Sequence, residues 1–202
     1  IDAFFKAGIN KIYIITGYNS YLFDTYKDKV SLLYNSNWKN SNMLISIMTA
    51  KHLLIESPAI ISYSDIFYES FALESISSQK ELSILYSSSW RELWEKRFNN
   101  PATDAETFSI NNLGYLTDIG DRLDCLSNAY GQYMGIISFT PKIFSIFKKI
   151  FYTLPEDKRE KIDVTSFLKH LIISKSLKIK TIPYEGVWGE VDILTDLDLY
   201  NS

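Results

Sequence analysis

Short apolar runs alternate with amphipathic segments along most of this chain. In the amphipathic segments, around residues 42–56, 69–78 and 163–174, apolar residues recur at helical spacing. The apolar runs are rich in Ile, Leu and aromatic residues, which is typical of buried strands; they lie at residues 11–16, 31–34, 59–63, 82–86, 133–139 and 177–183. The alternation predicts helical crossovers in a mainly parallel sheet.

The middle of the chain has a different pattern. A polar loop at 99–107 precedes two short runs, 107–110 and 113–119, which meet at Asn111-Asn112 and predict a hairpin. Capping patterns predict helices that begin at Ser89 and at Thr140-Pro141. Because we find no internal repeat, low-complexity tract or linker, we predict a single domain over residues 1–202 with an inserted antiparallel section.

The composition and the charge limit the classes of molecule with which the protein is expected to interact. The 202 residues are 46% hydrophobic and 15% aromatic, which is enough for a core, and the net charge is only -3. The lysines are scattered and form no stripe, no apolar run approaches the length that spans a bilayer, and Cys125 is the single cysteine. We therefore expect a cytoplasmic protein that acts on a small substrate, without nucleic acid or membrane. A homodimer is compatible with the sequence.

Two apolar runs end on an aspartate. Residues 60–65 end at Asp65, and residues 186–192 end at Asp192. Ligands of open α/β sheets lie at the carboxyl ends of strands, and two carboxylates there suit Mg²⁺ and the phosphate oxygens that it holds. This pattern predicts phosphoryl or nucleotidyl chemistry. The alternative is that each aspartate only caps the turn or helix that follows.

The order of the segments resembles the nucleotidyltransferases of the sugar-nucleotide type, and among them the small cytidylyltransferases that act on phosphocholine or related phosphonates. The similarity covers nearly the whole chain. It rests on nine short motifs in the family's order: Ala7-Gly8-Ile9, Ile14 to Tyr18, the segment with Asn35, Trp38, Asn42 and Ser46, Ser62 to Ile66, Asp104 to Phe108, Ile119-Gly120, Gly131 to Gly135, Asp163 to Thr165, and Trp188 to Asp192 with Asp196-Leu197.

The resemblance implies a Rossmann-like α/β fold: a mixed, mainly parallel sheet flanked by helices, of the GT-A-like nucleotidyltransferase kind. It also implies transfer of a nucleoside monophosphate, with CTP as the expected donor, and release of pyrophosphate. The acceptor would be phosphocholine-like, aminoethylphosphonate, a phosphorylated amino acid or a sugar 1-phosphate, for decoration of surface glycans or lipids.

One departure from the family is large. Its glycine-rich loop, with the arginine and the Pro-Lys pair that grip the triphosphate, has no counterpart here. In the family this loop precedes the position of Ile1. We therefore expect a chain that is truncated at its N-terminus, lacks the first strand and is inactive as this fragment alone.

The resemblance assigns roles near the donor. Asp65 and Asp192 would be the catalytic Mg²⁺ ligands. Asn42 and Ser46, four residues apart on one helical face, would lie beside the nucleotide, and Tyr63 and Ser64 flank the metal-binding aspartate. For Asn42, a plain helix N-cap is an equal alternative.

The acceptor would be bound by a second group of residues. An acidic and aromatic lining would suit a cationic head group, although Gly135 is also explained by a bulge, and Asp163 and Thr165 by a helix cap. The group comprises Glu106, Gln132, Tyr133, Gly135, Asp163, Thr165, Trp188 and Glu190.

Two other functions fit parts of the pattern. A glycosyltransferase with a metal and a nucleotide-sugar would have two aspartates flanking one residue, and Ser64-Asp65-Ile66 lacks the first of them. A catalytically inactive binding or regulatory subunit would lack the glycine-rich loop in its full-length gene.

Overall fold

The computed structural model describes residues 1–201. Ten strands form one four-stranded sheet and three two-stranded sheets. The strands are β1 (Tyr13–Thr16), β2 (Ser31–Tyr34), β3 (Ala59–Ser62), β4 (Ile66–Tyr68), β5 (Leu82–Ser87), β6 (Glu106–Ile110), β7 (Leu116–Arg122), β8 (Gln132–Phe139), β9 (Ile179–Tyr184) and β10 (Trp188–Glu190). The helices are α1 (Asp2–Lys6), α2 (Met43–Thr49), α3 (Lys51–Leu54), α4 (Phe71–Ser77), α5 (Trp90–Arg97), α6 (Pro141–Thr153), α7 (Glu156–Arg159), α8 (Val164–Ile173) and α9 (Leu194–Asn201).

The central sheet has the order β3-β8-β5-β9 and is covered on both faces. On one face, α2, α6 and α8 pack against the sheet through residues such as Ile47, Phe147 and Phe167. On the other face, α4 and α5 pack against the sheet through residues such as Leu73 and Trp94. Burial on both faces explains why the strands of this sheet read as continuous apolar runs in the sequence.

The predicted α/β class and the mixed sheet are confirmed, and the antiparallel share is larger than the sequence pattern indicated. Parallel pairs join β1 to β2 and β5 to β9, while β8 lies antiparallel between β3 and β5. The predicted antiparallel insertion corresponds to the β6 and β7 pair. Apolar runs do not encode strand direction, because a strand that is buried on both faces has the same composition in either orientation.

Most predicted boundaries agree with the structure to within two residues, and two predictions need correction. Ser89 makes no side-chain cap at the start of α5, because its hydroxyl is directed toward Ser87. Strand β10 lies within the predicted run at residues 186–192, whereas β4 has no counterpart among the predicted elements. Strand β4 has only three residues, which is too short for a period of two to be recognised. No helix within residues 1–201 is both long and apolar enough to cross a bilayer.

Candidate active site

The antiparallel pairing of β4 with β10, which the sequence did not predict, brings Asp65 and Asp192 together. Strand β4 begins one residue after Asp65 and β10 ends two residues before Asp192, and Ile66 lies opposite Glu190 in their antiparallel pair. The pairing continues past the strands, where the Val191 amide donates to the Asp65 carbonyl at 2.8 Å. Two aspartates 127 positions apart in the sequence therefore lie at the same end of a short ribbon.

The electrostatics of Asp65 reflect this proximity. Partial burial raises the pKa of its carboxyl, the charge of Asp192 raises it further, and Arg97 opposes both effects. Two carboxylates that repel each other at close range favour a shared cation.

Arg97, in the last turn of α5, is the main basic partner of this region. Its side chain is only 1% exposed, and it forms ion pairs with three carboxylates, those of Glu190 at 3.1 Å, Asp192 at 2.6 Å and Asp196 at 3.1 Å. Burial, together with repulsion from Asp192 and Asp65, raises the pKa of Glu190 to about 7 against the opposing effect of Arg97. Three acidic side chains thus bind one guanidinium, which also interacts electrostatically with Asp65.

The donor set at Asp65 and Asp192 fits a hard divalent cation. Both donors are carboxylates, and the side chain of Asp192 is 53% exposed although its Oδ2 is bound to Arg97. Within residues 1–201, no three His, Cys, Asp or Glu side chains are grouped so that they could hold a metal by themselves. Two protein carboxylates suit Mg²⁺, which keeps several waters and takes its other ligands from substrate phosphates.

A second acidic group lies near Tyr63 and consists of Glu106 and Asp163. Glu106 accepts a hydrogen bond from the Thr165 hydroxyl at 3.4 Å, and the same hydroxyl lies 3.2 Å from Asp163 Oδ1. Burial raises the pKa of Glu106, and repulsion from Asp163 raises it further. Burial likewise raises the pKa of Tyr63, and the charges of Asp163, Asp65 and Glu106 add to that shift. The hydroxyl of Tyr63 therefore interacts electrostatically with carboxylates of both acidic groups.

Asp163 has a structural role as well. It is the N-cap of α8, where its Oδ1 accepts from the Ser166 amide at 2.7 Å. The capping alternative for Asp163 is thus confirmed, and its charge still faces Glu106.

Tyr133 and Gly135 lie against Tyr63. The rings of Tyr63 and Tyr133 meet edge to face at 5.9 Å, and the buried Tyr133 hydroxyl has no hydrogen-bond partner among the described residues. Gly135 has a φ of +76°, and a Cβ at this position would lie 2.8 Å from Tyr63 Cγ. The close approach at Gly135 is therefore made by a tyrosine ring of the protein itself. The bulge alternative also holds, since the register of β8 against β5 shifts beside this residue.

Gln132 has a structural role. Its side-chain amide donates to the Glu106 carbonyl at 2.7 Å and accepts from the Glu106 amide at 3.1 Å. Because Gln132 is only 5% exposed and both ends of its amide are bonded, it holds the start of β6 against β8. In this way it positions Glu106 and has little capacity left for a ligand.

Asn42 is likewise bound within the protein. Its Oδ1 caps α2 by accepting from the Ile45 amide at 3.0 Å, which confirms the N-cap alternative. Its Nδ2 lies within hydrogen-bonding distance of three carbonyls in the segment before α8, the shortest being that of Ile162 at 2.7 Å. Ser46 accepts from the side chain of the buried Asn35 at 3.3 Å. Asn42 and Ser46 thus organise the start of α2.

The remaining predicted site residues differ in exposure. Ser64 is exposed in the bend between β3 and β4. Trp188 is 7% exposed and stacks on Trp94 with the ring centroids 5.5 Å apart, so it belongs to the apolar layer beneath the site. Glu190 is directed toward Arg97.

Sequence reasoning missed Arg97 and the role of Asp196. A basic residue in the last turn of a helix is common, because it complements the helix dipole, so the position of Arg97 in the sequence does not indicate a further role. The acidic segment that follows β10 is the feature of the sequence from which a basic partner could have been predicted. Three carboxylates between residues 190 and 196, close to a buried tryptophan, require a cation from elsewhere in the chain.

The molecule has the α/β fold of the nucleotidyltransferases, as similarity to solved structures shows. A Bacillus anthracis protein assigned as a glucose-1-phosphate thymidylyltransferase superposes with a TM-score of 0.74 at 16% identity, covering 98% of this chain and 78% of that one. The inositol-1-phosphate CTP transferase of T. maritima gives 0.69 at 16% identity with the same coverage. The CTP:phosphocholine cytidylyltransferase of Streptococcus pneumoniae gives 0.65 at 20%, covering 99% and 81%.

Sequence similarity identifies the family. The CTP:phosphoglutamine cytidylyltransferase of Campylobacter jejuni is 31% identical over 214 aligned positions, which include 98% of this chain and 84% of that protein. The chain therefore belongs to the nucleotidyltransferase family, in its cytidylyltransferase branch, as its motifs implied. No family model matches the sequence.

Proposed function

We propose that this protein transfers a cytidylyl group from CTP to a small phosphorylated acceptor that carries an ammonium group. A phosphate oxygen of the acceptor attacks the α-phosphorus of CTP, the bond from that phosphorus to the bridging oxygen breaks, and pyrophosphate leaves. Little proton transfer is needed, so the task of the protein is to position two anions and to reduce their repulsion. We also propose that the reaction takes place in the cytoplasm.

The Val191 to Asp65 hydrogen bond is the observation that carries this proposal. It brings Asp65 next to Asp192, and both residues are exposed, so that the two carboxylates could bind one Mg²⁺. Mg²⁺ held there would neutralise charge between the triphosphate and the acceptor phosphate. Asp65 and Asp192 would act as the metal ligands, while Tyr63 and Ser64 would line the space next to them.

The charge around Glu106 supports an acceptor with an ammonium group. Glu106, Asp163 and Tyr63 lie together, and no ion pair to Glu106 or Asp163 occurs within residues 1–201. Because a partly buried carboxylate such as Glu106 is costly without a counter-charge, a cationic ligand is the complement that this group lacks. Phosphoglutamine, the acceptor in the name of the Campylobacter jejuni relative, has a phosphate and an α-ammonium group.

The test uses the protein as its gene encodes it. Pyrophosphate release is followed with Mg²⁺ and each of the four ribonucleoside triphosphates, against phosphoglutamine, phosphocholine, aminoethylphosphonate, inositol 1-phosphate and glucose 1-phosphate. We expect CTP with an ammonium-bearing acceptor to give the highest kcat/KM. If turnover occurs with a sugar phosphate only, the cationic acceptor is wrong. If the folded protein releases no pyrophosphate with any pair, the transferase itself is wrong.

A further inference from the structure

Arg97 holds the carboxylates that follow β10 in a fixed arrangement. Its Nε and Nη2 form a paired contact with the two oxygens of Asp196, at 3.2 and 3.1 Å. Its Nη1 donates to Glu190 at 3.1 Å and its Nη2 to Asp192 at 2.6 Å. These contacts use the fork of the guanidinium in several directions at once, and a lysine cannot reproduce them.

The guanidinium is itself held in place. Its central carbon lies 5.5 Å from the ring centroid of Trp94 and 5.0 Å from that of Phe98. The side chain is almost wholly buried, at 1% exposure. A buried cation that is packed on two aromatic rings and bonded to three carboxylates has very little freedom to move.

Asp196 extends this control to the backbone of Asp192. Its Oδ2 accepts from the Asp192 amide at 2.9 Å and from the Ile193 amide at 3.2 Å. Arg97 therefore holds Asp192 in two ways. It binds the carboxylate directly, and it binds Asp196, which in turn accepts from the Asp192 backbone amide. The Asp192 side chain nevertheless remains 53% exposed, so one of its oxygens can still face a ligand.

From this geometry we infer that Arg97 is a positioning residue: it orients Asp192 so that Oδ1 is free to bind the divalent cation together with Asp65. The inference rests on the metal pair of the proposed function. Arg97 does not touch substrate in this role. By binding Oδ2, Arg97 fixes one orientation of the Asp192 carboxylate. Metal affinity falls when a residue that holds a metal ligand in place is removed.

The positive charge of Arg97 by itself has the opposite effect, because a cation beside Asp192 repels a metal ion. Two substitutions separate charge from geometry. Arg97→Lys keeps the charge and loses the fork, whereas Arg97→Met loses both. A purely electrostatic role predicts unchanged metal binding in the first variant and tighter binding in the second. The positioning role predicts weaker binding in both variants.

The experiment measures Mn²⁺ binding to the full chain, without nucleotide, by electron paramagnetic resonance of the free ion. We expect Arg97→Lys to raise the half-saturating Mn²⁺ concentration about tenfold, in line with loss of a contact behind a metal ligand. Phe98→Leu is the matched control, since it loosens the packing of the same guanidinium and leaves its four hydrogen bonds in place. Circular dichroism checks that each variant is folded, and Arg97→Lys decides the result if Arg97→Met does not fold.

The outcomes separate this inference from the function on which it rests. If Asp65→Asn abolishes Mn²⁺ binding and folded Arg97→Lys binds as the wild type does, the metal pair stands and the positioning role is wrong. The positioning role is equally wrong if Phe98→Leu weakens binding as much as Arg97→Lys. If the wild-type protein shows no Mn²⁺ binding that depends on Asp65, both proposals fail together.

Discussion

The two acidic regions of the site differ in how their charge is balanced. At one end, Arg97 bonds to Glu190, Asp192 and Asp196. At the other end, Glu106 and Asp163 lie together beside Tyr63 and form no ion pair within residues 1–201, while Lys169 is bonded to Asp118 and Asp121. The first region has an internal cation that bonds to its carboxylates, whereas the second has two carboxylates close together without an ion pair among the described residues.

This difference indicates a division of labour. A carboxylate that is held by a buried guanidinium is ordered before any ligand arrives, which suits a metal ligand. A carboxylate that is buried beside another carboxylate is destabilising until a positive group joins it, and this suits the recognition of a cationic substrate. The five predictions that follow test the comparison.

The largest effect is expected at the metal pair. We expect Asp65→Asn and Asp192→Asn each to lower kcat by about 10³-fold, because each removes one charged ligand from the ion that neutralises the phosphates. Steady-state pyrophosphate release over a range of Mg²⁺ concentrations measures the loss. A decrease of less than about tenfold in both variants would contradict the assignment of these aspartates as metal ligands.

A smaller effect is expected at Glu106. Glu106→Gln removes the charge and keeps an oxygen for the Thr165 hydroxyl. We expect the KM of an ammonium-bearing acceptor to rise about 10- to 100-fold, corresponding to about 1.4 to 2.8 kcal/mol. The KM of CTP should change little. Equal changes in the two KM values would show that Glu106 does not distinguish the acceptor from the donor.

The same variant should be more stable than the wild type. Burial and then repulsion from Asp163 raise the pKa of Glu106 in the folded protein. The folded state therefore holds its proton to higher pH than the unfolded state, and the stability of the wild type falls as the pH rises above about 4.3 and through the folded pKa. At neutral pH we expect Glu106→Gln to gain about 1 kcal/mol and so to raise Tm by about 2–4 °C. An unchanged Tm across this pH range would mean that the Glu106 charge costs nothing.

Asn42 provides a test of the donor side. Asn42→Ala removes a helix cap and the contacts to the segment before α8, so we expect a loss of about 2 kcal/mol of unfolding free energy in urea titrations. The KM of CTP should change by less than about threefold at a temperature where the variant is folded. Ser46→Ala is the matched control on the same helix. A large rise in the KM of CTP in the Asn42 variant alone would restore the nucleotide-binding role.

The smallest effect is expected at Lys169. Its ion pairs with Asp118 and Asp121 are partly exposed, so Lys169→Met should cost about 0.5 kcal/mol of unfolding free energy. The KM of the acceptor should not change, because Lys169 does not pair with Glu106 or Asp163. If the acceptor KM falls markedly in this variant, Lys169 balances the Glu106 region and the contrast between the two regions is weaker than we infer.

Part of the site could be predicted because its residues have local signals. Asp65 and Asp192 each end an apolar run, and Asp163 and Asn42 each precede an amphipathic segment, so their positions at the ends of strands and helices follow from the sequence pattern. The roles of Gln132 and Gly135 could not be predicted in this way. Gln132 bonds to the backbone of a residue 26 positions away, and Gly135 leaves space for the ring of Tyr63. Neither contact produces a periodic pattern in the sequence.

By itself, the sequence determined the order of helices and strands, the α/β class and the family, because these depend on local periodicity and on motifs in a fixed order. Only the tertiary structure decided that Asp192 lies beside Asp65, that Arg97 joins three carboxylates and that Glu106 forms no ion pair within residues 1–201. These are contacts between segments that lie far apart along the chain. They follow from the pairing of two three-residue strands and the burial of one arginine, which local sequence patterns do not encode.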